Sequence, residues 1–272
     1  MPILNKDMQV CISLAARPSN IGTRFHNVLY DELGLDFVYK AFTTNDLPGA
    51  VTGIRALGIR GCSVSMPFKE AIIPLVDTIE ASAAAIQSVN TVVNDNGVLT
   101  ASNTDYEAVA ALLASHDVDP ASRVLLRGSG GMAKAVTAAF RGAGFDHLTV
   151  VARNADTGPA LADQYGYDWA STESQAGDAD VLVNVTPIGM DGDQAETLAF
   201  EPARIDAAHT VFDVVAFPSE TPLVRAGRAA GKHVVTGAEV IALQAARQFE
   251  RYTGVALTED QVRRASEFSR AV

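Results

Sequence analysis

RVLLRGSGGMAKAVTAAFRGAG, residues 123–144, is the stretch that decides the fold. Its apolar run at residues 124–126 is typical of a short buried strand. A glycine-rich turn follows at residues 128–131, and from Ala133 onward apolar side chains recur at helical spacing up to Gly144. Strand, glycine turn and helix in this order are the setting in which a G-x-G-x-x-G/A pattern binds a dinucleotide. A glycine-rich turn in some other α/β domain is the alternative.

Each small residue of the turn has a physical role in dinucleotide binding. Gly128 permits the tight turn, Gly130 lets a pyrophosphate approach the backbone because it has no Cβ, and Ala133 keeps the helix close to the strand. The free N–H groups and the positive end of the helix then face the phosphates. The turn therefore predicts a dinucleotide-binding domain.

The end of the next strand indicates which dinucleotide is bound. Residues 147–152 (HLTVVA) predict the second strand of this domain, and Arg153 and Asn154 follow it. An Asp or Glu at this position usually binds a free ribose 2′-hydroxyl. A guanidinium instead matches the oxygens of a 2′-phosphate. Arg153 therefore favours NADP over NAD, unless it is simply a solvated surface arginine.

Composition argues against several classes of function. The 272 residues carry a net charge of −11, whereas nucleic-acid binding depends on clustered Lys and Arg. No apolar run predicts a membrane span, and no basic-then-apolar leader predicts secretion. The five histidines lack metal-ligand spacing, so we expect no metal. Cys11 and Cys62 are too few for a disulfide framework, so we expect buried thiols and a reducing, cytoplasmic compartment.

The first hundred residues predict a second α/β domain. Strands alternate with helices from residue 8 to residue 65, which is typical of a mainly parallel sheet, but no glycine fingerprint occurs there. A hairpin is predicted at residues 88–102, with its turn at Asp95-Asn96-Gly97. A helix over residues 106–114 then leads into the dinucleotide-binding domain.

Three polar side chains follow predicted strands, where open α/β sheets place their ligands. They are Lys69, Asn90 and Asp105. Lys69 could exchange a proton with a substrate hydroxyl during hydride transfer, and Asp105 could orient its amine. Taken singly, each side chain is better explained by a local role: a solvated lysine beside Glu70, an amide bonded within its own turn, and a helix N-cap.

Six short motifs, read together, carry more information than any one of them. In chain order they are Ser63-Val64-Ser65-Met66-Pro67-Phe68-Lys69, Ser88-Val89-Asn90-Thr91, Asn103-Thr104-Asp105, Gly128-Ser129-Gly130-Gly131, Asn184-Val185-Thr186 and Gly237-Ala238-Glu239-Val240-Ile241-Ala242-Leu243-Gln244. This set resembles the shikimate dehydrogenase family, and most closely its shikimate dehydrogenase-like branch. No single motif is specific, but six in register span nearly the whole chain.

The resemblance implies a fold and a cofactor. It implies two α/β domains: residues 1–104, completed by residues 241–272, bind the substrate, and residues 105–240 form a Rossmann-type domain that binds NADP. The positions that match the family's NADP site are Gly128, Ser129, Gly130, Gly131, Met132, Ala133, Arg153, Asn154, Thr186 and Gly237.

The resemblance also implies roles for the candidate site residues. Lys69 matches the family's catalytic lysine, and Asp105 matches the partner of that lysine. The residues that match ligands of the substrate hydroxyls are Ser65, Asn90 and Gln244.

The positions that hold the substrate carboxylate depart from the family's pattern. The family usually has a Ser-x-Ser pair, whose hydroxyls hold the substrate carboxylate, six and four residues before the histidine that matches His26. Asn20 and Gly22 stand there in this chain. The candidates to supply the missing hydroxyls are Ser13, Ser19 and Thr23.

We therefore expect an NADP-dependent oxidoreductase that interconverts shikimate, or a close hydroxylated cyclohexene or cyclohexane carboxylate, and its 3-keto form. The family implies a place in the chorismate pathway of aromatic amino acid biosynthesis. We expect a monomer or a homodimer. Two alternatives stay open: an enzyme like methylenetetrahydrofolate dehydrogenase, which also has a lysine between two α/β domains, and a non-catalytic module that binds NADP or a metabolite.

Overall fold

The computed structural model describes residues 4–271, which divide into two compact units. The first unit contains the residues up to Thr104 and those from Ala242 onward, and the second runs from Asp105 to Ile241. Residues 1–3, on which the expectation of no leader partly rests, lie outside the described range. The substrate and cofactor roles of the two units stay predictions here.

The chain alternates strands and helices. The strands are Gln9–Leu14 (β1), Phe37–Phe42 (β2), Gly61–Val64 (β3), Thr78–Ile79 (β4), Thr91–Asp95 (β5), Val98–Ser102 (β6), Val124–Arg127 (β7), Leu148–Val151 (β8), Asp168–Ala170 (β9), Val181–Asn184 (β10), Thr210–Asp213 (β11) and His233–Thr236 (β12). The α-helices are Ile21–Glu32 (α1), Leu47–Ala56 (α2), Phe68–Ala71 (α3), Ala81–Ala84 (α4), Thr104–Ser115 (α5), Gly131–Gly142 (α6), Thr157–Tyr165 (α7), Pro202–Ala207 (α8), Pro222–Ala229 (α9), Gly237–Thr253 (α10) and Glu259–Arg270 (α11).

The first unit is built on a mixed six-stranded sheet, in the order β2-β1-β3-β5-β6-β4. β1 pairs in parallel with β2 and β3, but β5 pairs in antiparallel fashion with both β3 and β6. The sheet is therefore less parallel than the sequence pattern suggests. The reason is the predicted hairpin, whose turn places Asn96 and Gly97 at φ of 53° and 92° and so reverses the chain within two residues.

The two faces of this sheet bury different helices. Side chains alternate along β1, so Cys11 points to one face and Ile12 to the other. Cys11 packs with Phe25 of α1 and Phe249 of α10, whereas Ile12 packs with Ile54 of α2. The cysteine is fully buried, as predicted. α1 and α10 therefore cover one face of the sheet.

The second unit has the Rossmann fold that the glycine turn predicts. Its six strands are all parallel, in the order β12-β11-β10-β7-β8-β9. Numbered from β7 and read from the β9 edge, this order is 3-2-1-4-5-6, the order of dinucleotide-binding domains. Ligands of such sheets bind at the carboxyl ends of the strands where the order reverses, which here is between β7 and β10.

Some short elements lack a sequence signal. β4 has two residues, β9 has three and α8 has six, so none is long enough to show a hydrophobic period. β9 forms because the end of β8 offers it an edge: the N–H of Ala152 donates to the carbonyl of Ala170 at 3.1 Å. Such elements depend on their neighbours rather than on their own residues.

Residues 4–271 contain neither a membrane-spanning helix nor a cluster of metal ligands. No helix in this range is long and apolar enough to cross a membrane. No group of three His, Cys, Asp or Glu side chains in the same range is arranged to hold a metal ion.

Asp180 joins the amino ends of β7 and β10 through three hydrogen bonds from Arg123. The backbone N–H, Nε and Nη2 of Arg123 donate to its carboxylate at 2.9, 3.0 and 2.9 Å. These bonds lower the pKa of Asp180 to about 2. The bonds from the Arg123 side chain contribute most, and the bond from its backbone N–H comes next. Because the folded-state pKa lies below the unfolded value, this stabilisation is present above the unfolded pKa and is lost as pH falls from about 4 towards 2.

We expect Asp180→Asn to lower the free energy of unfolding by about 1 kcal/mol at neutral pH, because the pair is partly exposed. The difference from wild type should shrink below pH of about 4, and urea denaturation across a pH series measures it. Asp178→Asn is the matched control, since Asp178 lies 4.0 Å from Arg123 and is 92% exposed. An equal difference at neutral and at acid pH would contradict this account.

Candidate active site

The turn between β7 and α6 requires glycine at its first position. Gly128 has φ of +123°, a conformation that L-residues rarely adopt. A Cβ there would lie 2.9 Å from Cγ2 of Val185 and 3.0 Å from Cγ2 of Thr186, on the loop after β10. The tight turn therefore brings β7 against the neighbouring loop at the switch point of the sheet.

The next residues leave open space in front of α6. Gly130 is extended and immediately precedes the helix, and no side chain caps it. Apart from the adjacent residues and the backbone of the helix itself, no heavy atom of residues 4–271 lies within 4 Å of a Cβ built on Gly130 or Gly131. Ala133 is fully buried, which keeps the helix against the sheet. An uncapped first turn with space before it fits a pyrophosphate, so the turn is suited to a dinucleotide.

Arg153 follows β8 as an exposed side chain. It forms no ion pair with a carboxylate of the described residues. Its neighbour Arg127 instead pairs with Glu173 and lies over the ring of Phe200, 5.3 Å from the ring centre. Desolvation, and then the charge of Arg153, lower the pKa of Arg127. Arg153 thus offers an uncompensated guanidinium beside the glycine turn, which suits a 2′-phosphate.

Asn154 and Ser129 have local partners. Oδ1 of Asn154 accepts hydrogen bonds from the N–H groups of Asp156 and Thr157, both at 2.9 Å. Oγ of Ser129 lies 2.7 Å from Oγ1 of Thr157. These contacts tie the turn after β7 to the start of α7. Met132, also in the predicted NADP set, is half-buried in the first turn of α6.

A buried polar chain holds the loop that carries Thr186. The hydroxyl of Thr186 donates to Oδ1 of Asn184 at 2.6 Å, and Nδ2 of Asn184 donates to Oδ1 of Asp213 at 3.0 Å. Burial raises the pKa of Asp213, although hydrogen bonds from Thr221, Val215 and Asn184 offset part of that shift. Thr186 is therefore fixed against the glycine turn rather than free in a loop.

Gly237 begins α10 and allows a close backbone approach. A Cβ there would lie 2.4 Å from the carbonyl oxygen of Val214, after β11. Thr236 and Glu239 cap the helix reciprocally, because Glu239 accepts from the Thr236 N–H at 2.8 Å and Thr236 Oγ1 accepts from the Glu239 N–H at 3.3 Å. His116 lies 3.1 Å from the other oxygen of Glu239. The start of α10 is thus held at the carboxyl edge of the second sheet.

In the first unit, Thr104 brings two predicted substrate ligands together. Oδ1 of Asn90 accepts from the Thr104 N–H at 2.8 Å and from the Thr91 hydroxyl at 2.8 Å. Oε1 of Gln244 lies 3.5 Å from the Thr104 hydroxyl. Because the Thr104 N–H can only donate, the atom of the Asn90 amide that it contacts must be the oxygen. The amide nitrogen of Asn90 makes no hydrogen bond among residues 4–271, so it is the group left to donate.

The remaining predicted residues lie next to this cluster along the chain. Ser65 is exposed just after β3, and Lys69 is half-buried in α3. The carbonyl of Lys69 accepts from the Val89 N–H at 2.9 Å, which ties α3 to the residue before Asn90. Asp105 is half-buried in the first turn of α5 and begins the second unit. The pairing of Lys69 with Asp105 stays a prediction.

The candidates for the missing hydroxyls differ in exposure. Ser19 is exposed before α1, the hydroxyl of Thr23 is buried without a hydrogen-bond partner among residues 4–271, and Ser13 is half-exposed at the end of β1. Asn20 is the N-cap residue of α1, but its side chain makes no capping hydrogen bond.

Sequence reasoning missed one buried polar residue, Gln248, which contacts three polar groups of the first unit. Nε2 of Gln248 lies 3.3 Å from Oγ of Ser63, 3.2 Å from the carbonyl of Asn90 and 3.0 Å from Oγ1 of Thr91. Gln248 stands four residues after Gln244 on α10, so the two share a helix face. That spacing was the available signal. Tyr39, whose ring stacks on His26, had no such signal.

These features define a two-domain, dinucleotide-dependent α/β protein. The second unit has the Rossmann-type fold and its glycine turn, and the first unit has the polar cluster around Thr104. Sequence and structure comparisons identify the family. The family model of the shikimate dehydrogenase substrate binding domain matches residues 20–92. A shikimate dehydrogenase-like protein of Haemophilus influenzae is 54% identical over 98% of this chain and 99% of its own length. This chain belongs to the shikimate dehydrogenase family.

Two further relatives show the cofactor of the family. Shikimate dehydrogenase (NADP(+)) of Chlorobaculum tepidum is 36% identical over 88% of each chain. The crystal structure of shikimate 5-dehydrogenase from Thermus thermophilus, in complex with NADP(H) and shikimate, superposes with a TM-score of 0.85 at 27% identity. The superposition covers 96% of this chain and 100% of the Thermus thermophilus chain. The family is thus one of NADP-dependent oxidoreductases, which confirms the predicted class of enzyme.

Proposed function

We propose that this protein interconverts shikimate, or a close hydroxylated cyclohexene or cyclohexane carboxylate, and its 3-keto form, with NADP as the hydride carrier. The observation that carries the proposal is the cluster around Thr104. It holds two amide side chains, Asn90 and Gln244, within hydrogen-bond reach of one threonine hydroxyl. The nitrogen of the Asn90 amide is left to donate to a ring hydroxyl, and the Gln244 amide can donate through its nitrogen and accept through its oxygen.

The second unit supplies the cofactor site. The turn from Gly128 to Ala133 would take the pyrophosphate, Arg153 the 2′-phosphate, and Thr186 and Gly237 the nicotinamide side. When bound, NADPH supplies a hydride for the keto carbon of the substrate. The uncapped α6 and the unpaired charge of Arg153 support this assignment.

Lys69 would transfer the proton to and from the substrate oxygen, and Asp105 would assist it. In the reductive direction the Lys69 ammonium gives a proton to the oxygen as the carbonyl becomes an alkoxide, and in the oxidative direction the amine takes it back. The hydride and this proton together convert the ketone into the alcohol, so atoms and charge balance. Asp105 orients the amine. Asn90, Gln244 and Ser65 hold the other ring hydroxyls and so fix the reacting carbon.

An oxidation assay tests the proposal. Purified protein should reduce NADP in the presence of shikimate, quinate or aminoshikimate, and should do so less well with NAD. Cofactor binding is followed separately through Trp169, the one tryptophan, whose Nε1 donates to the carbonyl of Ala152 at 3.1 Å, next to Arg153. Quenching of Trp169 by NADPH without turnover of any of the three acids would sink the proposed activity. It would favour the non-catalytic module instead.

A further inference from the structure

Gln248 is a buried amide on α10 that has no role in the chemistry proposed above. Only 3% of the residue is exposed. Its Nε2 lies 3.2 Å from the backbone carbonyl of Asn90. Because a carbonyl oxygen can only accept a hydrogen bond, the atom of the Gln248 amide that faces Asn90 must be the nitrogen. Gln248 is therefore a hydrogen-bond donor on this side.

The hydroxyl of Thr91 lies between two amides whose orientations are fixed. Nε2 of Gln248 lies 3.0 Å from Oγ1 of Thr91, and Oδ1 of Asn90 lies 2.8 Å from the same hydroxyl. The oxygen of the Asn90 amide is identified by the Thr104 N–H, which donates to it at 2.8 Å. A hydroxyl has a single proton, so a donor on one side and an acceptor on the other fix its direction. Thr91 accepts from Gln248 and donates to Asn90.

These three residues form a chain of hydrogen bonds, which we call the amide relay: Gln248, Thr91 and Asn90. Thr91 is 0% exposed, so it cannot contact a substrate itself. Ser63, paired in register with Thr91 on the neighbouring strand β3, places its Oγ 3.3 Å from the same Gln248 nitrogen. The relay therefore starts at a buried donor and ends at the Asn90 amide, whose nitrogen is left to donate.

The donor at the start of the relay decides where the Thr91 proton points. A second acceptor, Oγ1 of Thr104, lies 3.3 Å from the Thr91 hydroxyl. Without Gln248, the Thr91 hydroxyl can donate to either Thr104 or Asn90, because nothing then fixes its direction. The Asn90 oxygen would lose one of the bonds that distinguish it from the amide nitrogen.

We propose that Gln248 is a positioning residue that acts through Thr91 to keep the nitrogen of the Asn90 amide directed at the substrate. The site then selects a ring oxygen that can accept a hydrogen bond at this position. The proposal rests on the proposed function, because it takes a hydroxylated ring as the ligand of Asn90. Gln244, one helical turn earlier on the same face of α10, contacts the substrate, whereas Gln248 supports a residue that does so.

Gln248→Met tests the proposal, because methionine keeps the length of the side chain and removes the donor. We expect kcat/KM for the ring acid to fall about 3- to 10-fold, the range for the loss of one neutral hydrogen bond. In the Asn90→Ala background the same substitution should cost less than about twofold, because residues that act as a unit are not additive. Steady-state kinetics of the four proteins at saturating NADP measure both values.

Substitutions of Thr91 test the middle of the relay. Thr91→Val keeps the shape of the side chain without its hydroxyl and should give the same loss as Gln248→Met. Thr91→Ser keeps the hydroxyl and should retain the wild-type kcat/KM. If Gln248→Met does not fold, Thr91→Val with and without Asn90→Ala decides in its place.

Asn94→Ala is the matched control for a lost buried amide. Asn94 lies on the same strand as Thr91 and is 6% exposed. Its Nδ2 donates to the carbonyl of Ile54 at 3.0 Å, and its Oδ1 accepts from the Gly97 N–H at 2.7 Å. Its loss should lower the melting temperature and leave kcat/KM unchanged.

Two results would overturn the amide relay while leaving the proposed function in place. One is a wild-type kcat/KM in Gln248→Met. The other is an equal loss with and without the Asn90 amide, because such an effect does not pass through Asn90 and indicates a structural role. If the wild-type protein neither turns over shikimate, quinate or aminoshikimate nor binds any of them in calorimetry, the proposed function fails and the relay with it.

Discussion

Lys69→Met is expected to lower kcat by about 10²- to 10⁴-fold, the usual contribution of a general acid–base group. Methionine keeps the length and the apolar stem of the lysine and removes only the amine. The loss should be the same in both reaction directions, because the same group gives and takes the proton. Initial rates with saturating NADP and substrate measure kcat.

Cofactor binding separates this result from misfolding. Quenching of Trp169 fluorescence by NADPH should give the wild-type affinity in Lys69→Met, since the lysine belongs to the first unit and the reporter lies in the second. Lys40→Met is the matched control, because Lys40 is an exposed lysine on β2 of the same unit, and its turnover should equal that of the wild type. Wild-type turnover in Lys69→Met would remove the lysine from the mechanism.

Arg153→Gln is expected to raise the KM for NADP by about 10- to 100-fold, because a charge-assisted contact to a phosphate contributes about 1.5–3 kcal/mol. The KM for NAD, which has no 2′-phosphate, should change little. Arg153→Asp should go further and favour NAD, since a carboxylate at this position binds the free ribose hydroxyl. Steady-state kinetics with both cofactors measure the ratio.

Arg141→Gln is the control for a lost positive charge in the same unit. Arg141 lies in the last turn of α6, at the opposite end of the helix from the glycine turn, and pairs with Asp146 at 2.8 Å. It should leave both cofactor constants unchanged. If Arg153→Gln weakened NADP and NAD equally, the arginine would contribute to the fold or the pyrophosphate site rather than to recognition of the 2′-phosphate.

The features that the sequence alone determined are local in the chain. Gly128, Gly130 and Ala133 lie within six consecutive residues between a strand and a helix, so their spacing specified the turn before any packing was known. Arg153 could be placed because it immediately follows the second strand of that domain. Local chemistry also predicted the hairpin turn at Asp95-Asn96-Gly97, where Asn96 and Gly97 have positive φ.

The features that only the tertiary structure decided join residues far apart in the chain. Thr104 and Gln244 are separated by 140 positions and meet because α10 returns to cover the first sheet. Tyr39 lies beside Gly22 because Asn27 clamps β2 to α1. Side-chain packing against distant elements sets such contacts, and no spacing within a short stretch encodes them. The sequence thus determined the class of cofactor, whereas only the folded first unit brought Asn90 and Gln244 to the same threonine hydroxyl.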